Sequence, residues 1–161
     1  MHKLKSLLLP LLLASCGIAL PPADGSTWQT TAAGITATWR WVPEGSLSTV
    51  GDLYVVGRAQ AWPACDIALS RALDTGGAWA GRLPFTAAHE LGHCLQHAYG
   101  LPGISRPDLR EYARNPSEGW ADTYAHAYIQ ACGHSAEPLW QGDPCVPDPR
   151  AVYANYKGGT P

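Results

Sequence analysis

The chain has 161 residues, a length that suits one domain and leaves little room for a second. It carries 11 Lys and Arg against 13 Asp and Glu; without Lys3 and Lys5 of a basic leader, nine basic residues face thirteen acidic ones and the formal net charge is −4. The remainder contains no block of basic residues, so the composition disfavours nucleic-acid binding.

Residues 1–15 have the pattern of a secretory signal peptide. Lys3 and Lys5 form a short basic start, the stretch that follows is mostly apolar up to Leu13, and small residues end it. The apolar stretch is too short to span a bilayer as a stable helix. We therefore expect the chain to be exported and this leader to be removed.

The end of the leader, the sequence Leu-Ala-Ser-Cys that closes at Cys16, resembles the lipobox of bacterial lipoproteins. The resemblance implies cleavage before Cys16 and acylation of its thiol, and Gly17 in the next position favours the outer membrane. An ordinary signal peptide that contains a cysteine is the alternative. We expect a periplasmic or cell-surface lipoprotein that meets the membrane only through this anchor, with residues 16–27 as a tether.

Four further cysteines lie in the expected mature chain: Cys65, Cys94, Cys132 and Cys145. An even number in an exported chain predicts two disulfides, and four cysteines allow three pairings. The short separation of Cys132 and Cys145 favours that pair. A zinc site made of four cysteines is the rival interpretation, but the chain contains no C-x₂-C pair.

The first half of the mature chain predicts β-strands. Apolar and polar residues alternate over residues 30–42, a period of two that is typical of a half-buried strand. Glycines bound a second candidate strand at residues 52–58. A third candidate strand at residues 66–73 precedes a glycine-rich turn.

The second half predicts helices. Residues 84–99 begin with a proline and are followed by Gly100, which together indicate the start and the end of a helix. Residues 108–114 suit a short helical turn.

A second long helix is predicted to start at Asn115, which suits the N-cap position, and to run to about Cys132. Five prolines from Pro138 onward favour an irregular tail. Strands followed by helices define an α+β domain, which we place at residues 28–161.

The segment His89-Glu90-Leu91-Gly92-His93 is an H-E-x-x-H motif within the first predicted helix. Two histidines four residues apart lie on one helix face, so both imidazoles can reach one Zn²⁺. The carboxylate of Glu90 can then act as the general base that takes a proton from the attacking water. Chance gives this pattern in roughly one in 150 chains of this composition. The alternative interpretation is a helix with two solvent-facing histidines that bind no metal.

A catalytic zinc site needs a third protein ligand. His97 lies about 12 Å beyond His89 along a continuous helix, which is too far for one ion to bind both. The metzincin arrangement is rejected because Gln96 and Tyr99 occupy the positions of its glycine and its third histidine. Its Met-turn is also impossible, since Met1 is the only methionine.

Glu118 and Asp122 are better candidates for the rest of the site. They lie four residues apart on the second predicted helix and therefore on one face. Glu118 can complete a site of two histidines and one glutamate, and Asp122 can accept the ring N–H of a ligand histidine and fix its tautomer. The alternatives are a capping box between Glu118 and Asn115, and a solvated surface role for Asp122.

With these residues the chain resembles the gluzincin metallopeptidases, the thermolysin-like group, in which H-E-x-x-H is followed by a helix that carries E-x-x-x-D. The resemblance covers a stretch of 34 residues and implies a zincin-like fold. It implies that zinc is bound by His89, His93 and Glu118. It also implies that Glu90 is the catalytic base and that Asp122 orients His89.

The same resemblance implies that the strand at residues 66–73 is the sheet edge where an extended substrate pairs. The chain lacks the long C-terminal domain of the large members and resembles a minimal catalytic module. An oxyanion-stabilising donor is also required. Tyr112 and His126 are the main candidates for it, and the other candidates are His97, His134 and Tyr153.

The combined pattern predicts a zinc-dependent endopeptidase that acts on a protein or peptide substrate. One alternative is a zinc hydrolase of another amide, such as a cell-wall peptide. A second alternative is a non-catalytic surface lipoprotein that uses zinc to hold its fold.

Overall fold

A computed structural model of the chain describes residues 27–47, 56–74, 79 and 81–158. The predicted signal peptide, Cys16, nearly all of the tether and the first part of the strand expected at 52–58 lie outside these residues and stay predictions.

The described strands precede the described helices, which confirms the predicted α+β order. The strands are β1 (Thr27–Ala32), β2 (Ile35–Val42), β3 (Gly57–Gln60) and β4 (Cys65–Ser70). The α-helices are α1 (Leu83–Ala98), α2 (Pro116–Cys132), α3 (Glu137–Gln141) and α4 (Pro149–Lys157). Among the described helices, none has the length and apolar character needed to cross a bilayer.

The single strand predicted at residues 30–42 is wrong, because this segment contributes to two strands of a hairpin. Ala33 and Gly34 join β1 to β2 and have φ values of 48° and 81°. Two successive residues with positive φ suit the tight turn whose twist matches that of a hairpin. A clear alternation begins only at Ile35, and the preceding Thr-Thr-Ala-Ala-Gly was wrongly predicted to be part of the same strand.

Within the described residues, the four strands form one sheet in the order β1-β2-β4-β3. β2 and β4 are parallel, and the other neighbouring pairs are antiparallel. The prediction that the strand at 66–73 forms the sheet edge is therefore wrong, since β4 lies between β2 and β3. Its apolar run Ile67–Leu69 is buried, which is typical of an interior strand. The edge strands are β1 and β3, of which β3 is short and half exposed.

The strand predicted at residues 66–73 is also too long. β4 ends at Ser70, and residues Arg71–Leu73 form a turn of 3₁₀ helix. The hydroxyl of Ser70 accepts a hydrogen bond from the Ala72 N–H at 3.3 Å and so caps that turn.

Both long helices agree with the predictions. Pro84 lies in the first turn of α1, and Asn115 caps α2 by accepting a hydrogen bond from the Ser117 N–H at 3.0 Å. Gly133, with φ of 77°, ends α2. The short helical turn expected at 108–114 is a 3₁₀ helix at Glu111–Arg114.

The tail is not irregular as predicted, since α3 and α4 form within it. Pro138 and Pro149 lie in the first turns of these helices, where proline starts a helix and does not break one. The Asp148 carboxylate caps α4 by accepting from the Arg150 N–H at 2.8 Å.

Two disulfides tie these elements together. Cys132 and Cys145 are bonded as predicted, and Cys65 is bonded to Cys94. The second bond joins β4 to α1 at the residue next to His93. Two disulfides are typical of an exported protein in an oxidising environment.

The motif helix α1 packs closely against α2. The indole N–H of Trp120 donates to the Gly92 carbonyl at 2.8 Å, and both groups are buried. A Cβ at Gly92 would lie 3.1 Å from Ala121 Cα, so a side chain there would push the helices apart. Glycine at this position therefore sets the short distance between the two helices.

The space at position 119 also admits only glycine. We therefore expect Gly119→Ala to lower the free energy of unfolding by about 2 kcal/mol or more. A Cβ at this position would collide with the Ile104 carbonyl and lie 2.7 Å from the Ala113 carbonyl. Gly45→Ala is the control, because nothing lies within 4 Å of its Cβ and only its φ of 73° opposes a side chain, a cost of about 1 kcal/mol. Equal losses in urea unfolding of the two variants would contradict this account.

Candidate metal centre

Three side chains from α1 and α2 converge on one point. Glu118 Oε2 lies 3.1 Å from His89 Nε2 and 3.6 Å from His93 Nε2. Nitrogen or oxygen atoms of all three residues lie within 4.8 Å of one another, so the group can hold a metal ion. The Asn115 N–H is bonded to the Tyr112 carbonyl at 3.1 Å, so Glu118 does not close a capping box.

Asp122 orients the first of these histidines. His89 Nδ1 lies 2.8 Å from Asp122 Oδ1, and Asp122 is fully buried, which excludes a solvated surface role. An ionised carboxylate can only accept, so His89 donates from Nδ1 and turns Nε2 towards Glu118. The Tyr112 hydroxyl donates to the same Oδ1 at 2.8 Å.

The electrostatics of the group favour a positive charge between the imidazoles and the carboxylates. Burial lowers the pKa of His89, but its hydrogen bonds to Asp122 and Glu118 outweigh burial and raise that pKa to about 9. The same contacts to His89 and His93 hold the pKa of Glu118 well below its ordinary value. Burial raises the pKa of Asp122, but its hydrogen bonds to His89 and Tyr112 outweigh burial and lower that pKa. Both carboxylates are therefore ionised at neutral pH, as a metal ligand and the partner of a ligand histidine must be.

His93 is oriented by two residues that the sequence analysis did not single out, Ser117 and Gln96. The Ser117 hydroxyl donates its one proton to Gln96 Oε1 at 3.0 Å. It must then accept from His93 Nδ1, which lies 3.1 Å away. This leaves the lone pair of His93 Nε2 directed towards Glu118. In the sequence, only their positions near the ligand residues could have indicated this role. Ser117 directly precedes Glu118, and Gln96 lies three residues after His93.

Glu90 is buried between α1 and the edge strand β3. Burial raises the pKa of its carboxyl above the ordinary value, although His89 and His93 draw it down and the backbone N–H of Ala59 donates to it. A Cβ at Gly57 would lie 2.7 Å from Glu90 Oε1. Glycine at position 57 therefore leaves room for this carboxylate, a role that the sequence analysis missed.

The group opens onto a cleft of about 1820 Å³ between α1, α2 and β3. His89, Glu90, His93 and Glu118 all contribute to its lining. Because these groups line the cleft, a ligand of peptide size can reach them.

Four of the five candidate oxyanion donors line the cleft. Tyr112, His126, His97 and His134 line the cleft, whereas Tyr153 packs against Trp120 with ring centroids 6.1 Å apart. The Tyr112 hydroxyl is already bonded to Asp122. The His126 ring packs edge-on against Phe85, with centroids 5.2 Å apart.

No protein-family model, curated protein or solved structure matches this chain.

Proposed function

We propose that the chain is a zinc-dependent endopeptidase with a zincin-like arrangement of its motif helices, similar to that of the gluzincins. The observation that carries the proposal is the convergence of His89, His93 and Glu118 on one point of an open cleft. A fourth group, the buried carboxylate of Glu90, lies on the same helix as the two histidines and lines the same cleft.

The donor set fits zinc. Two imidazoles and one carboxylate are the protein ligands of many catalytic zinc sites, which keep a further position open for the reaction. When bound, zinc supplies a Lewis acid that polarises a carbonyl group and lowers the pKa of water. In this chain His89, His93 and Glu118 would hold the ion, and Asp122 and Ser117 would keep the two imidazoles in the required tautomers.

Glu90 would move the proton. Its carboxylate takes a proton from the attacking water, whose oxygen bonds to the carbonyl carbon of the scissile peptide. The C–N bond then breaks, and Glu90 passes the proton to the leaving nitrogen, so that one water is consumed and a carboxylate and an amine are formed. Because burial raises its pKa, the carboxylate of Glu90 is a better proton acceptor than an ordinary carboxylate.

The edge strand β3 offers a place for the substrate backbone. Gly57, Arg58 and Ala59 of this strand line the cleft. An edge strand presents unpaired backbone groups, to which an extended peptide can add as a further strand. The pairing attributed to residues 66–73 from the sequence is thus assigned to β3.

Removing the metal tests the proposal. We expect the purified protein to cleave casein or a quenched fluorescent peptide, to lose this activity in 1,10-phenanthroline, and to regain it when zinc is restored. Peptidoglycan fragments are assayed beside the peptides, and cleavage confined to these fragments would move the assignment to a cell-wall amidase. Undiminished cleavage after complete loss of metal would overturn the proposal.

A further inference from the structure

Two arginines lie at one end of the cleft, around the first turn of α1. Arg82 directly precedes α1, and Phe85 lies in its first turn. The Arg110 guanidinium carbon lies 5.1 Å from the centre of the Phe85 ring. All three residues line the cleft.

Aromatic rings hold these guanidinium groups without neutralising them. The Arg82 guanidinium lies 4.9 Å from the centre of the Trp79 ring, in the same way that Arg110 lies over Phe85. Stacking on a ring face leaves the N–H edge of a guanidinium free to bind a carboxylate. Within the described ranges no carboxylate forms an ion pair with Arg82. Arg110 Nε forms a long ion pair with Asp122 Oδ2 at 3.9 Å, which is beyond hydrogen-bond distance and leaves the N–H groups of Arg110 available to a ligand.

The opposite end of the cleft differs from the arginine end in its charge. It is lined by Gln96, His97, Gly100 and Leu101, which follow the motif and include no Lys, Arg, Asp or Glu. Phe85 and Gln96 are about 16 Å apart along the helix axis, so the two ends contact different parts of an extended ligand. The chain as a whole carries a net negative charge, so a positive end is a local feature of the cleft.

We infer that the cleft selects peptides that carry a carboxylate close to the scissile bond, and that Arg82 and Arg110 bind this carboxylate. The inference rests on the proposed function. Phe85 lies one helical turn before His89, about 6 Å along the axis. An extended peptide advances about 3.3 Å per residue, so the carboxylate lies one or two residues from the scissile bond. Guanidinium groups bind carboxylates through paired, charge-assisted hydrogen bonds.

The carboxylate can belong to a Glu or Asp side chain or to the C-terminus of the peptide, and the substrates are chosen to separate these sources. One peptide series carries Glu, Gln or Lys at each of the two positions on either side of the scissile bond, with amidated ends. A second series carries Gln throughout and ends in a free carboxylate or an amide at the same distance.

Turnover gives the first readout. We expect the Glu peptide or the free-acid peptide to exceed its neutral counterpart at least about tenfold in kcat/KM at low salt, and the Lys peptide to be the poorest substrate. In Arg82→Gln and Arg110→Gln this ratio should fall towards one. Arg114→Gln is the control, since Arg114 is exposed, pairs with Glu111 and is not among the cleft residues. A parent enzyme that cleaves acidic and neutral peptides equally well would overturn the inference.

Binding gives a second readout that does not require turnover. Zinc-loaded Glu90→Gln is titrated into the same peptides, labelled with a fluorophore, and anisotropy reports the dissociation constant. Tighter binding of the carboxylate peptides, lost in Arg82→Gln, supports the inference even where no peptide is hydrolysed and the proposed function fails. Equal affinity for the acidic and amidated peptides contradicts the inference even where hydrolysis is found.

Discussion

Replacing Glu118 by alanine should remove most of the bound zinc. Glu118 is the carboxylate that lies close to both imidazoles, and its loss leaves two protein ligands where catalytic zinc sites have three. Loss of a residue that only supports a ligand costs about 10–100-fold in metal affinity, so loss of the ligand itself should cost at least about 100-fold. Metal analysis after dialysis should give close to one zinc per parent chain and little in the variant.

Glu111→Ala is the matched control for this experiment. Its carboxylate is largely exposed and pairs with Arg114 at 3.4 Å. The control should keep the zinc content of the parent. A Glu118→Ala protein that is folded, as judged by circular dichroism, and still holds the parental amount of zinc would contradict the proposed ligand set.

Replacing Glu90 by glutamine should lower kcat/KM for peptide hydrolysis by about 10²–10⁴, the usual contribution of a general base. The amide has nearly the shape of the carboxylate but cannot take the proton of the attacking water. Zinc should remain bound because Glu90 is not one of the three converging side chains. Initial rates and zinc content are measured on the same preparation.

Glu111→Gln serves as the control for the charge change, and its rates should match those of the parent. Full activity in Glu90→Gln would show that another group moves the proton. If the parent binds zinc but hydrolyses no peptide or cell-wall fragment, the non-catalytic surface protein becomes the better interpretation.

The helices could be predicted because their signals are local. Asn115 and Gly133 mark the ends of α2 by backbone and side-chain chemistry within a few residues, and these ends are confirmed. The approach of His89, His93 and Glu118 followed from spacing on two helices together with the requirement for a third ligand.

The sheet was harder to predict because its arrangement depends on long-range pairing. The alternation that marks a strand is clear only from Ile35, and the turn at Ala33 and Gly34 was included in one predicted strand where two exist. The order of strands depends on the parallel pairing of β2 with β4 across the segment that contains β3. No local pattern encodes that order.

The supporting contacts of the site were missed for a similar reason. Ser117 and Gln96 bond to each other only because α1 and α2 are in contact, and serine and glutamine at these positions are unremarkable in the sequence. Gly57 acquires its role from the approach of β3 to Glu90. A contact between elements has no signature in either element alone.

The close contact between α1 and α2 limits the residues that can be tolerated at positions 92 and 119. At position 92 a larger residue would separate the helices, and at position 119 any side chain would strike the backbone of the neighbouring loop. One variable position of each of the patterns H-E-x-x-H and E-x-x-x-D is thus constrained to glycine, giving His-Glu-x-Gly-His followed by Glu-Gly-x-x-Asp. We expect distant sequences that keep glycine at both positions of this pattern to keep the same distance between α1 and α2, even where the rest of the chain has diverged.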